Sequence, residues 1–176
     1  NGLAWGRGLH GDGAPARPGP VKAEGDGKSP AGIFDLGGAW GYAAAAPAGA
    51  RLPYTAATAS WQCVDDPASS HYNRLLDASA VAVDWSSHED LRRDDDVYRW
   101  LVEVKHNAAA TPGAGSCIFL HVWRGPGTST AGCTAMDEPR LESLLVWLDP
   151  AAHPRFVLLP AADYAAVWQP WALPPP

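Results

Sequence analysis

Glycine and proline interrupt this chain so often that few of its segments can form long regular elements. The 176 residues include 18 glycines and 17 prolines, and both residue types end helices and strands. Short strands joined by long loops are therefore expected, and residues 1–32 in particular are predicted to be loop. The length suits one domain with a hydrophobic core of its own, so residues 1–176 are taken as a single domain.

Short apolar runs predict five strands, each bounded by turn residues. The clearest is CIFLHVW at Cys117–Trp123, a continuous apolar run typical of a fully buried central strand. The first strand is expected to end at Gly37 and Gly38, where the chain can reverse. The predicted strands are residues 33–36, 81–85, 98–104, 117–123 and 156–159.

One longer helix is predicted to follow Glu138. Pro139 suits a first helical turn, and leucines then recur at helical spacing as far as Leu148. A short helical turn is predicted at Ser87–Asp90, which has the form of a capping box. Residues 41–53 are expected to be an irregular connection, and the proline-rich end of the chain an extended segment on the body of the domain.

Charge and spacing argue against several kinds of partner. The net charge is −6 and the 13 lysines and arginines are scattered, so there is no basic stripe that would bind nucleic acid. No apolar run approaches the length of a membrane helix. No cysteines or histidines have the close spacing of a zinc site, so neither a metal nor a cofactor is expected.

Cys133 ends the run GTSTAGC at residues 127–133, which is a candidate setting for a nucleophilic thiol. Such catalysis needs a thiolate, a base within hydrogen-bond reach and amide donors for the oxyanion. Glycine adopts backbone conformations closed to other residues, so the N–H groups of Gly132 and Cys133 are expected to point at one oxyanion site. A lone cysteine is equally consistent with a small buried hydrophobe.

His121 is the candidate base for this thiol. It interrupts an apolar strand, where its polar ring must find a partner, and it lies twelve residues before Cys133. A hairpin-like return would bring the two side chains together. The other interpretation is a core histidine satisfied by a local hydrogen bond. Trp123, at the end of the same strand, is the tryptophan expected to contact a substrate.

These residues resemble the L,D-transpeptidase (YkuD-like) family. The segments IFLHVW and TSTAGCTAM are similar to the catalytic histidine strand and the Ser/Thr-x-Gly-Cys motif of that family. Upstream, KAEGDGKSPAGIF at Lys22–Phe34 resembles its Lys-x-Glu-Gly-Asp and Thr-Pro-x-Gly-x-Phe block. The blocks occur in the same order, and the resemblance covers residues 20–160.

The resemblance implies a mainly β, YkuD-like β-sandwich with one clear helix after the cysteine and long Gly/Pro-rich loops. It implies a secreted, periplasmic enzyme, expected to be a monomer, that joins peptidoglycan stem peptides through a Cys133 thioester. The Val122 carbonyl would orient His121, Thr130 would support the site and contact substrate, and carbapenem β-lactams would acylate the thiol. Asn1 is not a start methionine and no signal-peptide pattern is present, so the sequence is expected to be either a mature form or a trimmed piece, and the signal peptide that secretion implies is not part of it.

The sequence departs from the family pattern beside the nucleophile. Many members carry histidine where Ala131 stands, so Ala131 is taken as a substrate-contacting position, and the loop over the substrate is expected to be short. The block Cys63–Asn73 resembles single-domain proteobacterial members. Tyr72 and Asn73 are therefore assigned to the cleft, although an acidic, serine-rich loop is also typical of a solvated turn.

The other two cysteines have no assigned chemistry. Cys117 lies four residues before His121, an even spacing that puts both on one strand face, and it is expected to fill a small interior space. A Cys63–Cys117 disulfide is an open alternative, because the sequence does not determine whether the two thiols pair.

Three functions remain open at this stage. The first is a transpeptidase that forms either 3-3 or 1-3 cross-links between stem peptides. The second uses the same acyl-enzyme but resolves it with water, as an L,D-carboxypeptidase or cross-link hydrolase. The third is a non-catalytic peptidoglycan-binding module whose cysteine is idle.

Overall fold

The computed structural model describes residues 2–9 and 19–176. Residues 1 and 10–18, which belong to the predicted N-terminal loop, lie outside the described residues. The fold is mainly β, as predicted, and the described residues contain no helix long and apolar enough to cross a membrane. The strands are β1 (Leu3–Trp5), β2 (Ser29–Gly41), β3 (Tyr54–Ala56), β4 (Trp61–Val64), β5 (Leu75–Asp77), β6 (His88–Asp90), β7 (Trp100–Val104), β8 (Phe119–Val122), β9 (Thr134–Met136) and β10 (Arg155–Leu158), and the α-helices are α1 (Glu138–Trp147) and α2 (Ala161–Val167).

The larger sheet has the order β1-β2-β7-β8-β9, with β3 and β10 also paired to β2. Strand β8 pairs antiparallel with β7 and parallel with β9, and all four of its residues are buried. The predicted central strand is therefore confirmed over Phe119–Val122. Because successive side chains of a strand point to opposite faces, β8 contributes to two different cores.

The first core lies between the larger sheet and α1. Asp137 caps the helix by accepting a hydrogen bond from the Arg140 N–H (3.0 Å), and the helix then runs through the predicted leucines. Leu141 and Leu145 are fully buried against even-numbered residues of β7 and β8. The core residues from these two strands are Trp100, Val102, Val104, Leu120 and Val122.

The second core lies on the opposite face, where a small sheet of order β5-β4-β6 covers the larger one. Leu101 and Phe119 of the larger sheet pack there with Cys63 of β4. A disulfide joins Cys63 to Cys117, with the Cα atoms 5.9 Å apart. The expectation that Cys117 only fills interior space is therefore wrong, because its sulfur links the two sheets.

Strand β2 is longer than predicted, because Gly37 and Gly38 do not reverse the chain. The pairing of β2 with β7 instead shifts register between Leu36 and Ala39, so the glycines lie in a β-bulge. A Cβ atom on Gly37 would lie 1.7 Å from the Glu103 carboxylate. Glycine at position 37 therefore makes room for the side chain of the neighbouring strand.

Three further local predictions are wrong. Residues 81–85 form no strand, since Val81 and Val83 are exposed and their alternation marks no buried face. Ser87–Asp90 forms no helical turn, because residues 88–90 pair with β4 as β6. The end of the chain is not only extended: residues 161–167 form α2, a second helix that the alanine-rich sequence AADYAAV favours.

Candidate active site

Cys133 lies immediately before β9, on the face of the larger sheet that meets the small sheet. Its sulfur accepts a hydrogen bond from the Phe119 N–H (3.3 Å) and donates one to the Cys117 carbonyl (3.5 Å). It is the free cysteine of the described chain. The thiol is therefore held by backbone groups at the start of β8, next to the disulfide.

His121 lies on the same face of the sheet as Cys133. It pairs with Ala135 in the parallel β8–β9 ladder, and Ala135 is two residues beyond Cys133, so all three side chains point to one side. The His121 Nδ1 lies 2.7 Å from the Val122 carbonyl oxygen. A carbonyl can only accept, so Nδ1 carries the proton and Nε2 is left as the basic nitrogen.

The thiol and the imidazole are both neutral in the resting site. Burial raises the pKa of the Cys133 thiol far above its usual range, and the negative charge of Glu89 raises it further. Burial lowers the pKa of His121, although the hydrogen bond to Val122 partly opposes this effect. The arrangement therefore suits proton transfer during attack, with His121 as general base, rather than a thiolate formed in advance.

This electrostatic state gives a testable pH dependence. A base works in its neutral form, and the lowered pKa of His121 keeps it neutral to more acidic pH than an ordinary histidine. We expect the rate of Cys133 acylation by a carbapenem, followed by intact mass, to hold as pH falls to 6.5 and to decline only below it. The variant His121→Ala should lose about 100-fold in rate or more and lack this decline, whereas a midpoint above pH 6.5 would contradict the assignment.

A cavity of about 270 Å³ opens on one side of the thiol. Two guanidinium groups, those of Arg93 and Arg124, line its wall, and both form ion pairs with Asp95. We call it the arginine cavity. Its lining includes Arg93, Tyr98, His121, Trp123, Arg124, Thr130 and Cys133.

A second cavity of about 210 Å³ opens on the other side of the same thiol. Three carboxylates line it, and the one lysine in its lining, Lys22, is paired with Asp26 (2.5 Å). We call it the acidic cavity. Its lining includes Lys22, Glu24, Asp65, Glu89, Ser116, Gly132 and Cys133.

Thr130 holds the loop before the nucleophile. Its hydroxyl donates to the Cys133 carbonyl (2.6 Å) and accepts from the Gly132 N–H (3.3 Å). The supporting role expected for Thr130 has a structural basis in these two contacts. They also mean that the Gly132 amide must exchange its partner before it can bind an oxyanion.

The remaining predicted residues divide into two groups. Trp123 and Ala131 line the arginine cavity, and Ala131 also lines the acidic one. Tyr72 and Asn73 line neither. Tyr72 is buried and donates its hydroxyl proton to Glu24, while the Asn73 side chain accepts from the Cys117 N–H (3.0 Å), so both lie behind the cavities as structural support.

The sequence analysis missed an acidic residue whose charge acts on the thiol. Glu89 was assigned to a capping box, yet it lines both cavities and accepts a hydrogen bond from the Tyr98 hydroxyl. The ring of Tyr98 in turn packs edge-on against His121, 5.4 Å between centroids. The only sequence signal near this contact was the alternating apolar pattern that predicted a strand at Tyr98.

Comparisons with family models, curated proteins and solved structures found no match. Among residues 2–9 and 19–176, no three histidine, cysteine or acidic side chains converge as metal ligands would. The chemistry of the site is therefore argued from its own side chains.

Proposed function

We propose that this protein is a cysteine acyltransferase of the L,D-transpeptidase type, which cross-links peptidoglycan stem peptides through a Cys133 thioester. The observation that carries the proposal is a free thiol at the junction of two cavities, on the same sheet face as a histidine whose Nδ1 is fixed by the Val122 carbonyl. The family resemblance of these residues supports the same reaction. As part of the proposal the enzyme works as a monomer in the periplasm, without metal or cofactor.

In the first half-reaction, the thiol attacks the carbonyl at the L-centre of the donor peptide. Nε2 of His121 takes the thiol proton and delivers it to the departing amine of D-alanine, while the C–N bond breaks and a C–S bond forms. The leaving D-alanine carries a carboxylate. Arg93 and Arg124 in the arginine cavity are the cationic groups that would attract it, so this cavity is assigned to the donor.

The second cavity supports transfer over hydrolysis. Water would reach a thioester through any open path, but an amine acceptor needs a space of its own beside the sulfur. The acidic cavity offers that space, and its three carboxylates would favour a cationic amine over a neutral molecule. The hydrolase alternative uses the same acyl-enzyme and differs only in what enters this cavity.

Product analysis tests the proposal directly. Purified protein incubated with disaccharide tetrapeptides is expected to form dimers. A 3-3 linkage releases D-alanine, whereas a 1-3 linkage releases the peptide that follows the first stem residue, and fragmentation spectra of the dimers distinguish the two. A carbapenem should form a covalent adduct on Cys133. Shortened monomers without dimers would instead identify a hydrolase, and the absence of any adduct or product would favour a non-catalytic module.

A further inference from the structure

Glu89 has a position that no other carboxylate of the site shares. It lies in β6, opposite Cys63 of β4, and lines the acidic and the arginine cavities on the two sides of Cys133. The Tyr98 hydroxyl donates to one of its oxygens, which leaves the other carboxylate oxygen for a further contact. Glu89 and Cys133 are thus lining residues of both cavities.

The surroundings of Glu89 are suited to a cation. Asp65, directly after β4, and Glu24, in the N-terminal segment, add negative charge. The buried Oδ1 of Asp65 has no hydrogen-bond partner within the described residues. Arg93 is the cation that acts electrostatically on Glu89. Arg93 lines the arginine cavity and is paired with Asp95. The negative charge of the three carboxylates of the acidic cavity fits an organic ammonium group as occupant.

Aminolysis of a thioester requires the removal of an extra proton. A primary amine reaches the enzyme as an ammonium at neutral pH and must lose two protons to become an amide nitrogen. The departing thiolate accepts one of them through His121. The other proton needs a second base. Hydrolysis needs no second base, because one proton of the water goes to the thiolate and the other stays on the new carboxylic acid or passes to solvent.

We propose that Glu89 is a second catalytic base, which binds the acceptor's ammonium group in the acidic cavity and takes its first proton. This inference rests on the proposed function. The C–N bond then forms as the C–S bond breaks, the second proton passes through His121 to the Cys133 sulfur, and Glu89 returns its proton to water. Burial raises the pKa of Glu89, which strengthens it as a base near neutral pH.

The test compares charged and uncharged acceptors on one acyl-enzyme. With a stem tetrapeptide as donor, Glu89→Gln should lower the ratio of dimers to hydrolysed monomers by about 100-fold or more. Formation of the hydroxamate from hydroxylamine, which arrives without a charge, should fall much less than dimer formation. The rate of carbapenem acylation is measured in the same variant and used to normalise both products. Glu89→Asp keeps a carboxylate and should give an intermediate ratio, which guards against a folding defect in the glutamine variant.

Glu142→Gln is the matched control. Glu142 is also a partly buried glutamate that accepts a side-chain hydrogen bond, from Trp100 Nε1 (2.9 Å), but it lies on α1 across the sheet. Unchanged dimer formation in Glu89→Gln, or an equal loss of dimers and hydroxamate, would overturn this inference while leaving the proposed function intact. A wild-type protein that forms no dimers would overturn both.

Discussion

Replacing Cys133 by alanine is expected to abolish the carbapenem adduct and to reduce dimer formation by a factor on the order of 10⁴ or more. The variant loses the only free thiol of the chain, because Cys63 and Cys117 are paired. Intact-mass spectrometry with a carbapenem and chromatography of stem-peptide products measure the two losses.

The Cys133→Ala variant should still fold, which makes the loss interpretable. The sulfur is held by two weak backbone contacts, from the Phe119 N–H and to the Cys117 carbonyl, and Thr130 contacts the backbone rather than the thiol. Far-ultraviolet circular dichroism should therefore match the wild type. A carbapenem adduct that persists on the alanine variant would place the nucleophile elsewhere and refute the assignment.

Removing the disulfide is expected to have the largest effect on stability. The bond closes a loop with a sequence separation of 54 residues, and loss of such a constraint on the unfolded chain costs about 4 kcal/mol. The double variant Cys63→Ala/Cys117→Ala should therefore unfold at a markedly lower urea concentration than the wild type. The double change is preferred because either single change leaves a free thiol beside Cys133.

The same double variant should also acylate more slowly, for a geometric reason. Cys117 has a positive φ of 54°, a conformation that a non-glycine residue adopts only when its surroundings hold it there. The Cys117 carbonyl oxygen accepts a hydrogen bond from the Cys133 thiol. Wild-type protein treated with a reductant should show the same two changes. A double variant whose unfolding free energy and acylation rate both match the wild type would exclude both effects.

The parts of the fold that sequence reasoning predicted are those set by local patterns. The run CIFLHVW has no polar face to expose, so it could only be a central strand, and the leucines after Pro139 share one helical face. His121 and Cys133 lie on one face of the sheet, but the hairpin-like return expected between them is wrong, because β9 pairs parallel with β8 after a crossover. These inferences need only a few consecutive residues each.

The parts that were missed depend on distant partners. Glu89 is partly buried because β6 pairs with β4, and β4 is in turn tied to Cys117 by the disulfide. Neither the strand register nor the cysteine pairing is contained in the letters around residue 89. The exposed valines at positions 81 and 83 illustrate the same limit, since an alternating pattern marks a strand only where another element covers it.

Gly132 places a restriction on which sequences can keep this thiol in position. Its φ is +151°, and a Cβ atom there would lie 3.0 Å from the Lys28 carbonyl oxygen. A side chain at position 132 would therefore have to displace the backbone at Lys28. The preceding residue, Ala131, is exposed. A larger side chain at position 131 can therefore be accommodated without moving the backbone, whereas any side chain at position 132 would strain the loop that holds the thiol.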